Sequence, residues 1–70
     1  MIQIKDLKAG TLFQMEGLDT QGNTVQANAT LISYMGMNRY VVESDGITIL
    51  CDGNDIVTKV LSPASIAVNI

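Results

Sequence analysis

The sequence has no histidine and no tryptophan, and it contains one cysteine and one proline. A single cysteine excludes a disulfide within the chain. Without histidine or a second cysteine, a structural zinc site is not expected either. General acid–base catalysis near neutral pH most often uses histidine. We therefore expect a protein that needs no metal or other cofactor and is not an enzyme.

Positive charge is also scarce, because 4 basic residues stand against 7 acidic ones and the net charge is −3. Nucleic-acid binding depends mainly on basic side chains that neutralise phosphates, so no nucleic-acid partner is expected. No apolar run approaches the roughly 18 residues that cross a bilayer, and the first residues lack the pattern of a signal peptide. A lone cysteine fits a reducing compartment, which predicts a cytoplasmic protein without membrane contact.

Apolar and polar residues alternate along most of the 70-residue chain. No segment keeps a helical period over ten residues. Short strands are predicted at residues 11–15, 25–34, 39–43, 47–51 and 56–61, with a further one at 65–70. Five to six such strands predict a single all-β domain over residues 1–70, folded as a small barrel or a rolled antiparallel sheet.

Turn signals separate these strands. Asp45-Gly46 between two alternating segments is among the strongest hairpin signals. Residues 6–10 predict a tight turn or a short 3₁₀ turn, and residues 16–23 predict a polar loop. Pro63 is expected to close the strand that precedes it, because proline cannot continue a central ladder.

Residues 5–13, KDLKAGTLF, resemble the opening of short SH3-like barrel proteins, many of which are encoded by bacteriophages. The segments 39–42, 45–46 and 56–60 resemble the closing strands of such barrels. The resemblance implies an SH3-like barrel and a phage origin. Its motifs are a turn glycine, a core aromatic residue and a hairpin, so it implies fold and no particular activity.

Three candidate chemical sites have simpler interpretations. Cys51 is in phase with Ile47 and Ile49, which predicts a small core residue rather than a nucleophile. Lys59 lies among strand residues and is expected on a solvated face. Residues 52–55 (DGND) suggest a calcium loop, but the twelfth position is Pro63 instead of a glutamate, so a turn is predicted.

Several predicted strands carry apolar residues on both faces. A monomeric barrel has one interior, so one set must face outward, and such patches usually mark an interface. A chain of this length buries only ~60% of its unfolded surface, which also favours a homo-oligomer. The predicted interface comprises Leu12, Ile32, Val41 and Leu50, with Ile66, Val68 and Ile70 adding to a neighbour's sheet edge. The alternative is that this last strand completes its own barrel.

Residues 34–40 hold both tyrosines, the only arginine and two methionines around a glycine. Tyrosine and arginine are enriched at binding hot spots, and methionine adapts to varied surfaces. The candidate binding residues are Tyr34, Met35, Met37, Arg39 and Tyr40, together with Gln26 and Asn28 on a polar strand face. The alternatives are a loop that caps the barrel and an ordinary solvated strand face.

These residues support two functional hypotheses. The first is a non-catalytic, phage-encoded protein that binds or inhibits a host protein as a small oligomer. The second is an oligomeric sponge for a nucleotide-like signal. There Arg39 would bind phosphate, Tyr34 or Tyr40 would stack on a base, and Gln26 or Asn28 would bind its polar edges.

Overall fold

A computed structural model describes residues 1–64 of the chain. Within that range five strands follow one 3₁₀ turn, Ile4–Asp6: β1 (Leu12–Leu18), β2 (Thr24–Gly36), β3 (Arg39–Ser44), β4 (Ile47–Asp52) and β5 (Val57–Ser62). All pair antiparallel in one open sheet of order β4-β3-β2-β1-β5, which confirms the predicted all-β class and, of the two predicted forms, an antiparallel sheet. The predicted strand at 65–70, with Ile66, Val68 and Ile70, lies outside the described residues.

Two hairpins are closed by two-residue turns with positive φ at both positions. Asp45 and Gly46 have φ of 52° and 77°, as the Asp-Gly signal predicts. Met37 and Asn38 have φ of 55° and 61° in the turn between β2 and β3. This geometry matches the right-handed twist of the strands on either side. No helix among the described residues is long and apolar enough to cross a membrane.

The connection between β1 and β2 is shorter than the predicted loop over residues 16–23. β1 continues to Leu18, because the ladder to β2 extends as far as the pair Leu18–Thr24. The turn is tightened by the Asp19 carboxylate, which accepts hydrogen bonds from the N–H groups of Gln21 (2.9 Å) and Asn23 (2.8 Å). Short acidic side chains that bond the backbone two residues ahead commonly hold such turns.

The N-terminal segment closes one end of the sheet. Ile4 N–H donates to the Asp55 carbonyl (3.0 Å), and Val57 N–H donates to the Ile2 carbonyl (2.8 Å). The 3₁₀ turn starts at Ile4, earlier than the predicted 6–10, because the Asp6 carboxylate accepts the N–H of Gln3 (2.9 Å). Ile4 is thereby placed in the core.

The core lies on one face of the curved sheet, here called the inner face. Its buried members, which alternate with outward residues along the strands, are Ile4, Phe13, Ala29, Leu31, Val42, Cys51 and Val57. Leu7, Met15, Tyr40 and Val60 pack against them. The opposite face is here called the outer face.

Candidate functional site

The predicted binding stretch, residues 34–40, lies at the end of the β2–β3 hairpin. Two register shifts occur there, one between Leu31 and Ser33 and one between Tyr34 and Gly36. Each shift inserts an extra residue into β2 and changes which side chains share a face. The stretch is therefore divided between the two faces of the sheet.

The two tyrosines lie on the inner face. Tyr34 is directly opposite Tyr40 in the register, and Tyr40 packs against the core. Their ring centroids are 4.9 Å apart with the planes tilted by 51°. The Tyr34 hydroxyl also accepts a hydrogen bond from the N–H of Asn38 (3.3 Å). The two tyrosine rings therefore contact each other in a tilted arrangement, and Tyr34 also bonds the backbone of the turn.

The methionines and the arginine belong to the other face. Met35, Met37 and Arg39 line a shallow groove of about 360 Å³ with Gly36 and Leu50, here called the methionine groove. Met37 is 93% exposed and Met35 is 62% exposed. This groove brings three predicted binding residues together with Leu50, which the sequence analysis assigned to an oligomer interface.

Arg39 has a carboxylate as its cross-strand neighbour. It is opposite Asp52 in the β3–β4 register. The Asp52 Oδ1 atom accepts hydrogen bonds from Asn38 Nδ2 (2.9 Å) and from the N–H of Asn54 (2.9 Å). A negative charge beside the only arginine weakens the attraction that a phosphate would experience there.

Gln26 and Asn28 lie far from the methionine groove. Met35 lies nine positions after Gln26 in β2, a span of about 30 Å in extended strand. The Gln26 Oε1 atom accepts a hydrogen bond from Thr58 Oγ1 (2.8 Å), so this side chain ties β2 to β5 across β1. Asn28 is exposed on the same outer face.

The predicted oligomer interface lies on four adjacent strands. Each of its four described members is next in sequence to a buried residue, so alternation places all of them on the outer face. Ile32 and Leu50 are exposed, whereas Leu12 and Val41 are half-buried. Val41 is directly opposite Leu50.

A second apolar surface was missed by the sequence analysis. The inner face is open near the β1–β2 and β3–β4 turns, where it forms a trough of about 280 Å³. Val25 and Ile49 are its exposed apolar residues on the inner face, Ile47 lies on the same face, and Leu18 borders the trough from the β1–β2 turn. Alternation assigned Val25 and Ile49 to the inner face, but it cannot show whether another element covers them.

The remaining chemical candidates are explained by local structure. Burial raises the pKa of the Cys51 thiol, and the nearby Asp55 carboxylate raises it further. Lys59 is exposed. Residues 52–55 form a turn in which the Asp55 carboxylate accepts the N–H of Asp52 (3.1 Å). Among residues 1–64 no group of three or more His, Cys, Asp or Glu side chains could hold a metal ion.

Comparisons with family models, with curated proteins and with solved structures find no match for this chain.

Proposed function

We propose that the protein is a non-catalytic binding protein that acts as a small oligomer and holds a host protein at the methionine groove. The observation that carries the proposal is the exposure of Met37, which is 93% exposed at a turn of defined geometry. The resemblance to short phage-encoded barrels makes a bacteriophage the expected source of the gene and a bacterial protein the expected partner.

The turn holds Met37 in a fixed position. Positive φ is uncommon for a residue other than glycine, asparagine or aspartate, yet Met37 has φ of 55°. The next residue, Asn38, is held by hydrogen bonds to Tyr34, Asp52 and Gly53. A partner would therefore meet a methionine whose backbone is already ordered, which lowers the entropy lost on binding.

The side chains of the groove suit a protein surface. Burial of a methionine side chain contributes about 1.5–3 kcal/mol, and its flexible thioether adapts to irregular apolar pockets. Arg39 at the same groove has donors for a carbonyl or carboxylate of the partner. We therefore propose a partner that inserts an apolar side chain flanked by such an acceptor.

The experiment is affinity capture from host-cell extract on the immobilised protein, followed by titration of the purified captured partner. Met35→Asp and Met37→Asp should each weaken binding by at least about tenfold, because a charge would enter an apolar contact. Leu18→Asp is the matched control, since Leu18 is an exposed apolar residue beside the β1–β2 turn, at the opposite end of β2 from the groove. Equal binding by all variants would contradict the proposed site.

The nucleotide sponge stays as the alternative, and one observation favours it: the groove volume lies within the ~300–1,000 Å³ of small-molecule sites. Within one chain, however, Tyr34 and Tyr40 lie on the opposite face from Arg39. A nucleotide site would therefore have to combine residues from two chains.

Native mass spectrometry of the protein taken directly from cells distinguishes the two functions. A multimer that carries the mass of a bound nucleotide, lost in Arg39→Ala, would support the sponge. A multimer without added mass would favour the protein partner, whereas a monomer at micromolar concentration would contradict the oligomer in both hypotheses.

A further inference from the structure

The two edges of the sheet differ in how they are protected. Protein sheets usually block an exposed edge with lysine, proline or bulges. β5 has Lys59, ends before Pro63 and pairs with β1 through two register shifts. β4 has none of these features, and its ladder to β3 is regular from Ile47 to Asp52.

The hairpin geometry identifies which backbone groups of β4 face outward. The pair Ser44–Ile47 flanks the two-residue turn, and such a closing pair exchanges both backbone hydrogen bonds. Alternation then directs the N–H and C=O groups of Ile47, Ile49 and Cys51 toward β3. The same groups of Thr48, Leu50 and Asp52, which are the even-numbered residues, point away from the sheet.

Asp52 is already satisfied within its own chain. Its N–H donates to the Asp55 carboxylate (3.1 Å), and its carbonyl accepts the N–H of Asp55 (3.0 Å). The turn after β4 thus closes this end of the edge. Within residues 1–64, Thr48 and Leu50 remain as the residues of β4 whose backbone groups have no partner and can pair with another strand.

These available groups select one register for a second copy. In a twofold antiparallel pair, Thr48 of each chain can lie opposite Leu50 of the other, which uses all four available groups of each chain. Ile49 then faces Ile49 of the second copy at a position without hydrogen bonds. A shift by two residues in one direction would place Thr48 opposite Asp52, whose backbone groups are already bonded. A shift in the other direction would place Leu50 opposite Gly46, which lies in the hairpin turn and not in a strand.

This register also brings apolar side chains of the two chains together and places no like charges opposite each other. Odd-numbered residues of both chains fall on the inner face, so Ile47 lies opposite Cys51 and the two Ile49 side chains meet. Ile47 and Ile49 are 62% and 43% exposed in the single chain, and this pairing would cover both. The only charged residue of β4, Asp52, lies opposite Gly46, so no like charges face each other.

We propose that a second copy of this chain binds along β4 and joins the two sheets, with the paired Ile49 residues on the twofold axis. This inference rests on the proposed oligomer and names its interface. The two inner troughs, each of which includes Ile49, become one apolar surface across the axis.

Disulfide trapping tests the register. In a Cys51→Ser background, Ile49→Cys should oxidise to a covalent dimer, because opposed residues at such positions have Cα atoms ~4.5 Å apart, within the disulfide range. Thr48→Cys is the matched control. The two residues 48 would lie more than the ~7 Å that a disulfide can span, so cross-linking should be at least about tenfold slower.

Two further variants keep the test decisive. Thr48→Pro removes an outward N–H without breaking the ladder to β3, so it should leave the fold intact and reduce the mass from light scattering to that of a monomer. The double variant Ile49→Cys with Val68→Cys tests whether residues 65–70 occupy the edge instead. A disulfide between positions 49 and 68 would overturn the proposal.

The outcomes separate this interface from the proposed function. A multimer in which the Ile49→Cys variant fails to cross-link, or in which Thr48→Pro has no effect, would overturn the β4 interface and leave the oligomer standing. A monomeric wild-type chain would overturn both the interface and the oligomer. Loss of a partner in Met37→Asp tests the methionine groove independently of β4.

Discussion

The backbone N–H of Gly53 donates a hydrogen bond of 2.7 Å to the carbonyl of Asn38 and joins the turn after β4 to the β2–β3 turn. A Cβ at position 53 would overlap Asn38 Oδ1 and lie 2.8 Å from Tyr40 Cε1. Gly53 is not among the glycines with positive φ, so glycine is required there by contact and not by backbone conformation.

Gly53→Ala should therefore destabilise the protein by about 1–3 kcal/mol, the usual cost of an added methyl group in a filled site. Urea denaturation monitored by circular dichroism measures the change. Gly17→Ala is the matched control, because its Cβ would meet nothing within 4 Å. Equal stability of the two variants would show that residues 38 and 40 move aside without cost.

Phe13 is fully buried on β1, where it lies opposite Ala29 of β2 on one side and Val60 of β5 on the other. Phe13→Ala should cost about 3–5 kcal/mol. Stability of about 0.05–0.15 kcal/mol per residue gives a chain of this size roughly 3.5–10 kcal/mol, so the variant should be largely unfolded or melt much earlier. Leu18→Ala, at an exposed position, should change stability by less than about 0.5 kcal/mol. A cooperative, wild-type-like melting curve for Phe13→Ala would contradict this core assignment.

Asp19 gives stability a dependence on acid pH. The hydrogen bond from the N–H of Asn23 is the largest cause that lowers the pKa of Asp19, and the bond from Gln21 acts in the same direction. Because the pKa of Asp19 is lower in the folded than in the unfolded protein, its ionised carboxylate stabilises the fold. This stabilisation is complete above the pKa of the unfolded state, about 3.9, and it is lost as the pH falls through the lower pKa of the folded state.

The wild type should therefore be more stable than Asp19→Asn at pH 7, and the difference should shrink below about pH 4. Thermal melting of both proteins across this range makes the comparison. A difference that stays constant down to pH 2 would mean that the charge of Asp19 does not stabilise the turn.

Cys51 should react slowly with alkylating reagents. Burial is the first cause that raises the pKa of this thiol, so little thiolate is present near neutral pH. At pH 8 iodoacetamide should modify the folded protein at least about tenfold more slowly than the urea-unfolded chain. The variant with Thr48→Cys and Cys51→Ser carries an exposed thiol on the same strand and should react quickly in both states. Fast modification of folded Cys51 would contradict its burial.

Alternation and turn chemistry were sufficient to predict the all-β class and the five described strands, but not their order in the sheet. The Asp45-Gly46 turn formed as expected, and the strands on either side of it lie within a residue of their predicted limits. β1 was predicted too short, because Glu16 and Gly17 resemble loop residues although their backbone groups pair with β2.

The sequence could not predict that residues 34–40 are divided between the two faces of the sheet. Strict alternation from Leu31, which faces inward, would place Ile32 and Tyr34 together on the outer face. The register shift after Leu31 inserts one residue and moves Tyr34 to the inner face, opposite Tyr40. A bulge depends on pairing with a distant strand, so local alternation does not contain it. The binding and oligomer functions of these residues stay predictions.

The placement of Ile4 against Asp55 has a kinetic consequence. Both hairpins that involve β3 are local in sequence, whereas the N-terminal segment must find a partner more than two thirds of the chain away. The entropy of closing so long a loop is lost before the contact contributes any stability. The pairing of the N-terminal segment with residues 55–57 should therefore form late and limit the folding rate. In pulse-labelled refolding, protection of the Ile4 and Val57 amides should therefore lag behind protection of the β3–β4 ladder. Until Ile4 joins the core, Phe13 and Leu31 stay partly exposed to water. The β3–β4 hairpin is then ordered before the core is complete.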